Sequence, residues 1–198
     1  MPKSHLYMKQ KKLLIIWVLT TLFYLSCNHK VSIKNKNVVS DEFIELLNRY
    51  QSDSLQKIIA SNFQLTRTYT NYKNNLNSFL EEYLITSKAY NAKYNVIESI
   101  SLNEPKSFLV KDESDYLKYL SIESPKWKLT IKRNSEYKIE EVVIDTTSSY
   151  KKYKSDLLLK EEYFNQWLKL NHPKENLEEL HKNHNLLFER LKSFYNQK

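Results

Sequence analysis

The first half of the chain carries apolar residues at helical spacing and then at strand spacing. Apolar side chains three and four positions apart follow Ser40, and they predict a helix that begins there. A capping-box spacing that begins at Asp53 predicts a short second helix, which ends at Ala60. A strand is expected over residues 63–69, and a third helix is expected to end near Tyr90.

The middle of the chain alternates apolar and polar residues with the period of two that is typical of strands. Five strands are predicted, over residues 94–102, 108–110, 116–122, 127–131 and 139–144. Short polar or proline-containing segments separate them, and these favour turns. We therefore expect a curved antiparallel meander.

The C-terminal part contains two amphipathic helical patterns. The apolar stripe of the first helix contains Leu157, Leu158, Phe164, Trp167 and Leu168. The second helix is expected to begin at Pro173, and its apolar residues recur from Leu177 to Phe194. This run is too short for a self-sufficient coiled coil. We expect an antiparallel hairpin that packs on the sheet, and packing with a partner protein is the alternative.

The predicted order of elements is helix, short helix, strand, helix and then several antiparallel strands. This order and the helix-to-strand junction DSLQKIIASNFQLT resemble the nuclear transport factor 2-like superfamily of cone-shaped α+β domains, over about residues 40–146. The resemblance implies N-terminal helices packed on a curved antiparallel sheet. The expected fold class is thus α+β, with this domain over residues 40–147 and the helical hairpin over residues 148–198.

A basic segment followed by an apolar run stands near the N-terminus. Lysines precede the apolar residues 13–25, and the sole cysteine, Cys27, follows them. Such a run makes a helix of roughly 20 Å, which is too short for a bilayer core about 30 Å thick. The segment is therefore typical of a secretory signal rather than of a retained membrane span.

The end of this segment resembles the lipobox of bacterial lipoproteins. Ser26 and Cys27 fit that pattern, whereas Tyr24 stands where a large aliphatic residue is usual. The resemblance implies a signal peptide over residues 1–27, a lipidated Cys27 and a tether over residues 28–39. It also implies a bilayer-anchored protein of the cell envelope that faces the periplasm or the exterior. The alternatives are an uncleaved N-terminal anchor and a soluble secreted protein with one free thiol.

Charge and composition exclude several function classes. The formal net charge is +8, but seven lysines lie before residue 40, where no acidic residue occurs, so residues 40–198 carry about +1. This balance argues against nucleic-acid binding. The tether lysines act as solvated charges or contact anionic headgroups. The chain contains no glycine, which excludes glycine-dependent phosphate sites and leaves left-handed turns to residues such as asparagine.

Three residues are candidates for ligand binding or chemistry. Glu98 shares strand parity with Val96 and faces the predicted interior, unless a bulge intervenes and leaves it in water. Arg67 and Tyr69 share parity on the first strand. Arg67 is expected to pair with an anionic ligand or with Glu98. Enzymes of the resembled superfamily often place a carboxylate and a tyrosine inside the cone, and this implies Glu98 as a catalytic candidate.

The remaining signals favour structural roles. His181 and His184 have a spacing that could share a metal, but no suitable acidic or thiol ligand lies nearby, so no metal site is predicted. Most tyrosines, among them Tyr83, Tyr94 and Tyr163, are expected to pack in the core. No cofactor is implied. We therefore expect a non-catalytic ligand-binding or protein-interaction module, with a small-molecule enzyme that uses an interior carboxylate, of isomerase or dehydratase type, as the alternative.

Overall fold

The structure, a computed structural model, describes residues 38–197. The helices are α1 (Val38–Asn48), α2 (Ser52–Ile58), α3 (Leu76–Ser78), α4 (Leu84–Ala89), α5 (Asp115–Leu120), α6 (Tyr150–Asn171), α7 (Leu177–Lys182) and α8 (His184–Tyr195). A π-helical turn, Phe79–Tyr83, joins α3 to α4. The strands are β1 (Ile59–Arg67), β2 (Lys73–Asn75), β3 (Lys93–Ser101), β4 (Lys106–Glu113), β5 (Lys126–Arg133) and β6 (Ile139–Thr146).

These strands form one mixed sheet in the order β2-β1-β6-β5-β4-β3. The segment from β3 to β6 is an antiparallel meander, as expected. The first strand adds to it in parallel, with Leu65 opposite Val142. The expected α+β class, with N-terminal helices, a curved sheet and C-terminal helices, is confirmed, while the wholly antiparallel sheet is corrected to a mixed one.

One face of the sheet carries the main core. Phe43 of α1, Phe79 of the π-helical turn and Phe63 of β1 are almost completely buried there. Their rings contact one another, since the Phe79 ring centroid lies 5.0 Å from that of Phe63 and 6.1 Å from that of Phe43. The inward residues of the meander, such as Leu129 and Ile131, complete this core. The helices before residue 90 therefore cover the concave side of the sheet.

A second apolar cluster holds the C-terminal helices. Phe164 and Leu168 of α6 and Leu187 and Leu191 of α8 are fully buried in it. Their partner is Leu120 with the rest of α5, rather than the sheet face that we expected. No helix within residues 38–197 combines the length and the apolarity that crossing a bilayer requires.

Several predicted boundaries are wrong for local reasons. The predicted strand over residues 116–122 is the helix α5, because Ser114 accepts a hydrogen bond from the backbone of Leu117 and caps it. The last helix begins at Leu177 rather than at Pro173, and Asn183 caps a new start that divides it into α7 and α8. The hairpin is thus three helices.

Because the chain contains no glycine, residues with a Cβ atom occupy the backbone positions that have a left-handed conformation. Positive φ angles occur at Tyr50, Asn91, Ser121 and Tyr137 among the described residues. Asparagine was the expected residue, but it fills only one of these positions. Ser121, with φ 58° and ψ 45°, ends α5 in the left-handed conformation that glycine usually supplies.

Candidate functional site

A cavity of about 330 Å³ lies where the ends of β1, β3 and β4 approach the helices. We call it the tyrosine cavity. Its charged and aromatic lining side chains are Arg67, Tyr72, Tyr83, Tyr90, Tyr94, Asp112, Tyr116, Tyr153 and Glu161. The helix α6 contributes Tyr153, Leu157 and Glu161 to this lining, so the first of the C-terminal helices forms part of the cavity wall. Its volume is within the range of roughly 300–1,000 Å³ that small-molecule sites occupy.

Arg67 brings a positive charge into the cavity. It ends β1 opposite Ile144, and it lies on the same side of the strand as the buried Leu65. Its guanidinium carbon lies 5.4 Å from the ring centroid of Tyr83 and 5.8 Å from that of Tyr72. The Nε atom is buried and has no hydrogen-bond partner in the described part of the chain. The cavity therefore contains a cationic donor that is held by aromatic faces.

Asp112 brings a negative charge into the same cavity from β4. Its Oδ2 atom accepts a hydrogen bond from Nε1 of Trp127 at 3.1 Å. Burial raises the pKa of this carboxyl to about 6, although the Trp127 hydrogen bond and the charge of Arg67 act in the opposite direction. Within residues 38–197, Asp112 and Arg67 influence each other electrostatically but do not form an ion pair.

Two tyrosines form the inner wall. The hydroxyl groups of Tyr83 and Tyr94 lie 2.9 Å apart and hydrogen-bond to each other. Burial raises the pKa of Tyr94 well above its ordinary value. Tyr94 is also paired with Asp112 across β3 and β4. This wall therefore presents two aromatic rings with mutually hydrogen-bonded hydroxyl groups to the cavity.

A second polar cluster links the outer wall to the C-terminal helices. The Tyr116 hydroxyl donates to Oε1 of Glu161 at 2.6 Å, and the Tyr90 hydroxyl lies 3.0 Å from Nδ1 of His181. Burial is the main cause that raises the pKa of Tyr116 and lowers that of His181. His184 packs edge-on against the Tyr90 ring at 5.3 Å. The two histidines thus serve packing and hydrogen bonding between helices.

Glu98 does not lie in the tyrosine cavity. A bulge in β3 shifts the register between Val96, which pairs with Val110, and Glu98, which pairs with Leu109. The shift turns Glu98 to the outer face of the sheet, where it is exposed. The expected interior position of Glu98, and with it a pair between Glu98 and Arg67, is therefore corrected.

Tyr69 packs next to the cavity rather than lining it. Its ring is stacked on Trp127 with centroids 4.8 Å apart, and Tyr150 contacts it at 5.2 Å. Burial raises its pKa. Tyr83 and Tyr94 are buried as expected, whereas Tyr163 is 48% exposed and does not pack in the core.

Sequence reasoning missed both carboxylates of the cavity, although a signal existed for each. Asp112 shares strand parity with the buried Phe108 and Val110, but it lies in the polar segment between the predicted strands 108–110 and 116–122, which favours a turn. Glu161 lies three residues before Phe164 and four after Leu157, on the apolar stripe of α6. In both cases an acidic residue occupies one position in a series of apolar residues that face the interior.

A larger depression of about 630 Å³ lies between α1 and the edge strand β3. The charged residues Glu45 and Arg49 at its edge form an exposed ion pair with each other. Across the described residues, no group of His, Cys, Asp and Glu side chains is arranged to hold a metal ion. The tyrosine cavity, with opposite charges on an aromatic wall, remains the better candidate for ligand binding.

No protein-family model matches the chain, and no curated protein matches it. Several solved structures resemble it. A nuclear transport factor 2-like protein of unknown function from Cytophaga hutchinsonii is 14% identical, with a TM-score of 0.43 over 58% of this chain and 91% of that one. A protein from Shewanella denitrificans, named as a SnoaL-like polyketide cyclase, is 13% identical, with a TM-score of 0.49 over 61% and 94%.

A third similar structure is an uncharacterized bacterial protein with a cystatin-like fold from Silicibacter pomeroyi. It is 6% identical, with a TM-score of 0.45 over 69% of this chain and 94% of that one. The observed helices and the six-stranded mixed sheet establish an α+β domain, and its assignment to the nuclear transport factor 2-like superfamily stays a prediction. At these identities the likeness concerns the fold alone. Cys27, the rest of the predicted signal and tether residues 28–37 lie outside the described residues, whereas Val38 and Val39 of the predicted tether belong to α1.

Proposed function

We propose that the protein is a membrane-anchored lipoprotein of the cell envelope whose domain binds a small molecule in the tyrosine cavity. The observation that carries the binding proposal is Arg67, whose buried Nε atom has no partner within residues 38–197 and which lies against the Tyr83 ring. A buried donor without an acceptor costs free energy, about 1–3 kcal/mol. A bound ligand with an acceptor group would recover that cost.

Ligand-observed NMR with a set of fragments of up to about fifteen heavy atoms tests binding. Fragments that bind the wild-type domain should fail to bind Ala92→Trp, because Ala92 lines the cavity and an indole would fill it. Lys169→Trp, on the exposed face of α6, is the matched control and should bind as the wild type does. Binding that survives in Ala92→Trp, or no binding by any fragment, would show that the cavity is not a ligand site.

The anchoring proposal rests on the basic segment, the short apolar run and Cys27. Expression in a bacterium with labelled palmitate should label the protein and place it in the membrane fraction. Cys27→Ala should lose the label. A label that persists in Cys27→Ala would contradict lipidation at this residue.

A second candidate function is a small-molecule enzyme, and one observation favours it. Asp112 lies in the cavity with a pKa of about 6, which suits a general base at neutral pH. Glu98, the carboxylate expected for this role, is exposed on the outer face. A ketone fragment that binds the cavity should then exchange its α-protons in D₂O faster with the wild type than with Asp112→Asn. Equal rates of α-proton exchange with both proteins would argue against the enzyme and in favour of the non-catalytic binding module.

A further inference from the structure

Two opposite charges lie in one cavity without pairing with each other. Arg67 and Asp112 both line the tyrosine cavity, and within residues 38–197 neither forms an ion pair. Arg67 is held by the faces of Tyr72 and Tyr83, and Asp112 is held by the indole N–H of Trp127. Each charge is thus fixed by an uncharged neighbour.

Burying an unpaired charge is unfavourable, and two such charges in one cavity are more so. A ligand with a single charge could relieve only one of them. A ligand with both charges in the opposite sense would place an acceptor against the guanidinium and a cation against the carboxylate. Binding of one ligand would then offset the desolvation cost of both charges.

The Arg67 side of the cavity suits a carboxylate. The unpartnered Nε–H can donate together with an adjacent Nη–H, and this side-on pair of donors matches the two oxygens of a carboxylate. The Tyr83 ring limits how the guanidinium can turn. Arg67 therefore offers a donor pair whose orientation is largely fixed before binding.

The acidic part of the cavity lining suits a cation. Asp112 and Glu161 are both carboxyl groups of the lining, so the acidic side chains outnumber Arg67. Glu161 already accepts the hydroxyl hydrogen of Tyr116. Tyr90, Tyr116 and Tyr153 also line the cavity, and aromatic rings attract ammonium groups.

We infer that the tyrosine cavity takes a small zwitterion, with a carboxylate against Arg67 and an ammonium group against Asp112 among the tyrosine rings. This inference rests on the proposed binding function and adds the chemical class of the ligand. An amino acid with an apolar side chain is the simplest member of that class. Its side chain would lie against Leu117 and Leu157, which also line the cavity.

Three probes that differ only in charge test the inference. They are L-phenylalanine, 3-phenylpropionate, which lacks the ammonium group, and 2-phenylethylamine, which lacks the carboxylate. Their affinities for the wild-type protein are measured by isothermal titration calorimetry at pH 7.5. L-Phenylalanine should bind at least about tenfold more tightly than either singly charged probe, because only it engages both charges of the cavity.

Two variants test which side chain of the cavity binds the carboxylate of the ligand and which binds its ammonium group. Arg67→Gln should abolish the preference for L-phenylalanine over 2-phenylethylamine. Asp112→Asn should abolish the preference over 3-phenylpropionate, while its amide oxygen can still accept from Trp127. Arg49→Gln, at the exposed ion pair with Glu45, is the control and should keep all three affinities.

The outcomes separate this inference from the proposed function. If 3-phenylpropionate or 2-phenylethylamine binds as tightly as L-phenylalanine, the cavity binds small molecules but is not a zwitterion site. If none of the three probes binds while other fragments still depend on Ala92, the zwitterion inference is overturned and the binding proposal stands. If preferences persist in both Arg67→Gln and Asp112→Asn, the two charges do not select the ligand.

Discussion

Asp112 and Trp127 are joined across β4 and β5 by a hydrogen bond of 3.1 Å from the indole Nε1 to the carboxylate Oδ2. Trp127 is almost completely buried and stacks on Tyr69. The carboxylate is therefore fixed by a side chain that is itself fixed by packing. It keeps a defined position in the tyrosine cavity despite the cost of burying its charge.

This burial predicts that Asp112→Asn stabilises the ligand-free protein at neutral pH. The folded protein favours the neutral carboxyl, since its pKa is about 6 against an ordinary value of 3.8. That preference contributes stability fully below pH 3.8, and the contribution is lost as the pH rises through 6. Urea denaturation should show Asp112→Asn more stable than the wild type by up to about 3 kcal/mol at pH 7.5.

The difference between Asp112→Asn and the wild type should shrink toward zero near pH 4. Glu136→Gln, in an exposed turn, is the control and should match the wild type at both pH values. A variant less stable than the wild type at pH 7.5 would mean that the charge of Asp112 is compensated in the folded protein.

The hydroxyl pair of Tyr83 and Tyr94 predicts non-additive mutations. Removing one hydroxyl leaves the other buried without its partner, so Tyr94→Phe should cost about 1–2 kcal/mol of the free energy of unfolding. The double variant Tyr83→Phe/Tyr94→Phe should cost less than the sum of the two single variants. Denaturant titrations of the four proteins measure this coupling, with the exposed Tyr195→Phe as the control. Strict additivity would contradict the hydrogen bond.

The lowered pKa of the partly buried His181 predicts that the protein loses stability in mild acid. The pKa of His181 is lowered, mainly by burial and further by His184, although the charge of Glu161 acts in the opposite direction. Because the folded protein favours neutral His181, the contribution is present above the ordinary pKa of 6.5 and is lost as the pH falls below it. Thermal melts between pH 7.5 and pH 5 should therefore show a falling melting temperature.

His181→Asn should weaken that dependence, because its amide oxygen can accept from the Tyr90 hydroxyl and does not titrate. The other groups that face His181 are Tyr116, Glu161 and His184, and these stay unchanged in the variant. His172→Asn, outside this cluster, is the matched control. An unchanged slope in His181→Asn would exclude His181 as the titrating group.

The second apolar cluster predicts that the C-terminal helices are part of the folded domain. Truncation after Thr147 would expose the buried faces of Tyr116, Leu117 and Leu120. We expect a lower melting temperature and self-association in size-exclusion chromatography. A monomeric truncated domain as stable as the parent would instead make these helices an independent arm.

A point mutation gives the same test without truncation. Leu191→Ala in α8 should cost about 2–5 kcal/mol, because Leu191 is fully buried. Leu170→Ala, at a residue that is 83% exposed, should cost almost nothing. Equal effects of the two substitutions in urea denaturation would contradict the packing of α8.

Strand parity predicted part of the site correctly and failed where the backbone departs from a regular strand. Arg67 faces inward because β1 is regular from Gln64 onward. Glu98 does not, because one extra residue in β3 reverses the strand parity between Val96 and Glu98, and a second register shift follows between Ser99 and Ser101. A bulge depends on the partner strand and leaves no clear signal in a single sequence. The inward position of Asp112 was predictable from strand parity, but Asp112 is followed directly by Glu113, and such a polar segment also favours a turn.

The helices of the C-terminal region were predictable from the sequence, but the surface on which they pack was not. Apolar spacing identified the helix α6 and the buried residues Leu180, Leu187 and Leu191. It could not identify α5 as their packing surface, because the aromatic and aliphatic residues from Tyr116 to Ile122 suit a strand as well as a helix. In the structure this segment is a helix, and Ser114 caps it by accepting a hydrogen bond from the backbone of Leu117.

The parallel pairing of β1 with β6 sets the order in which the chain can fold. Synthesis releases β1 early, but its neighbour in the sheet is complete only after Ile139–Thr146. Until then Leu65 lacks its partner Val142, and the apolar side of β1 is covered only by elements that precede residue 90, among them α2, α3 and the π-helical turn. Non-local pairing of this kind slows folding and leaves a strand edge open to wrong partners. β1 can therefore take its final place in the sheet only after β6, the last strand of the chain's sheet, has been made.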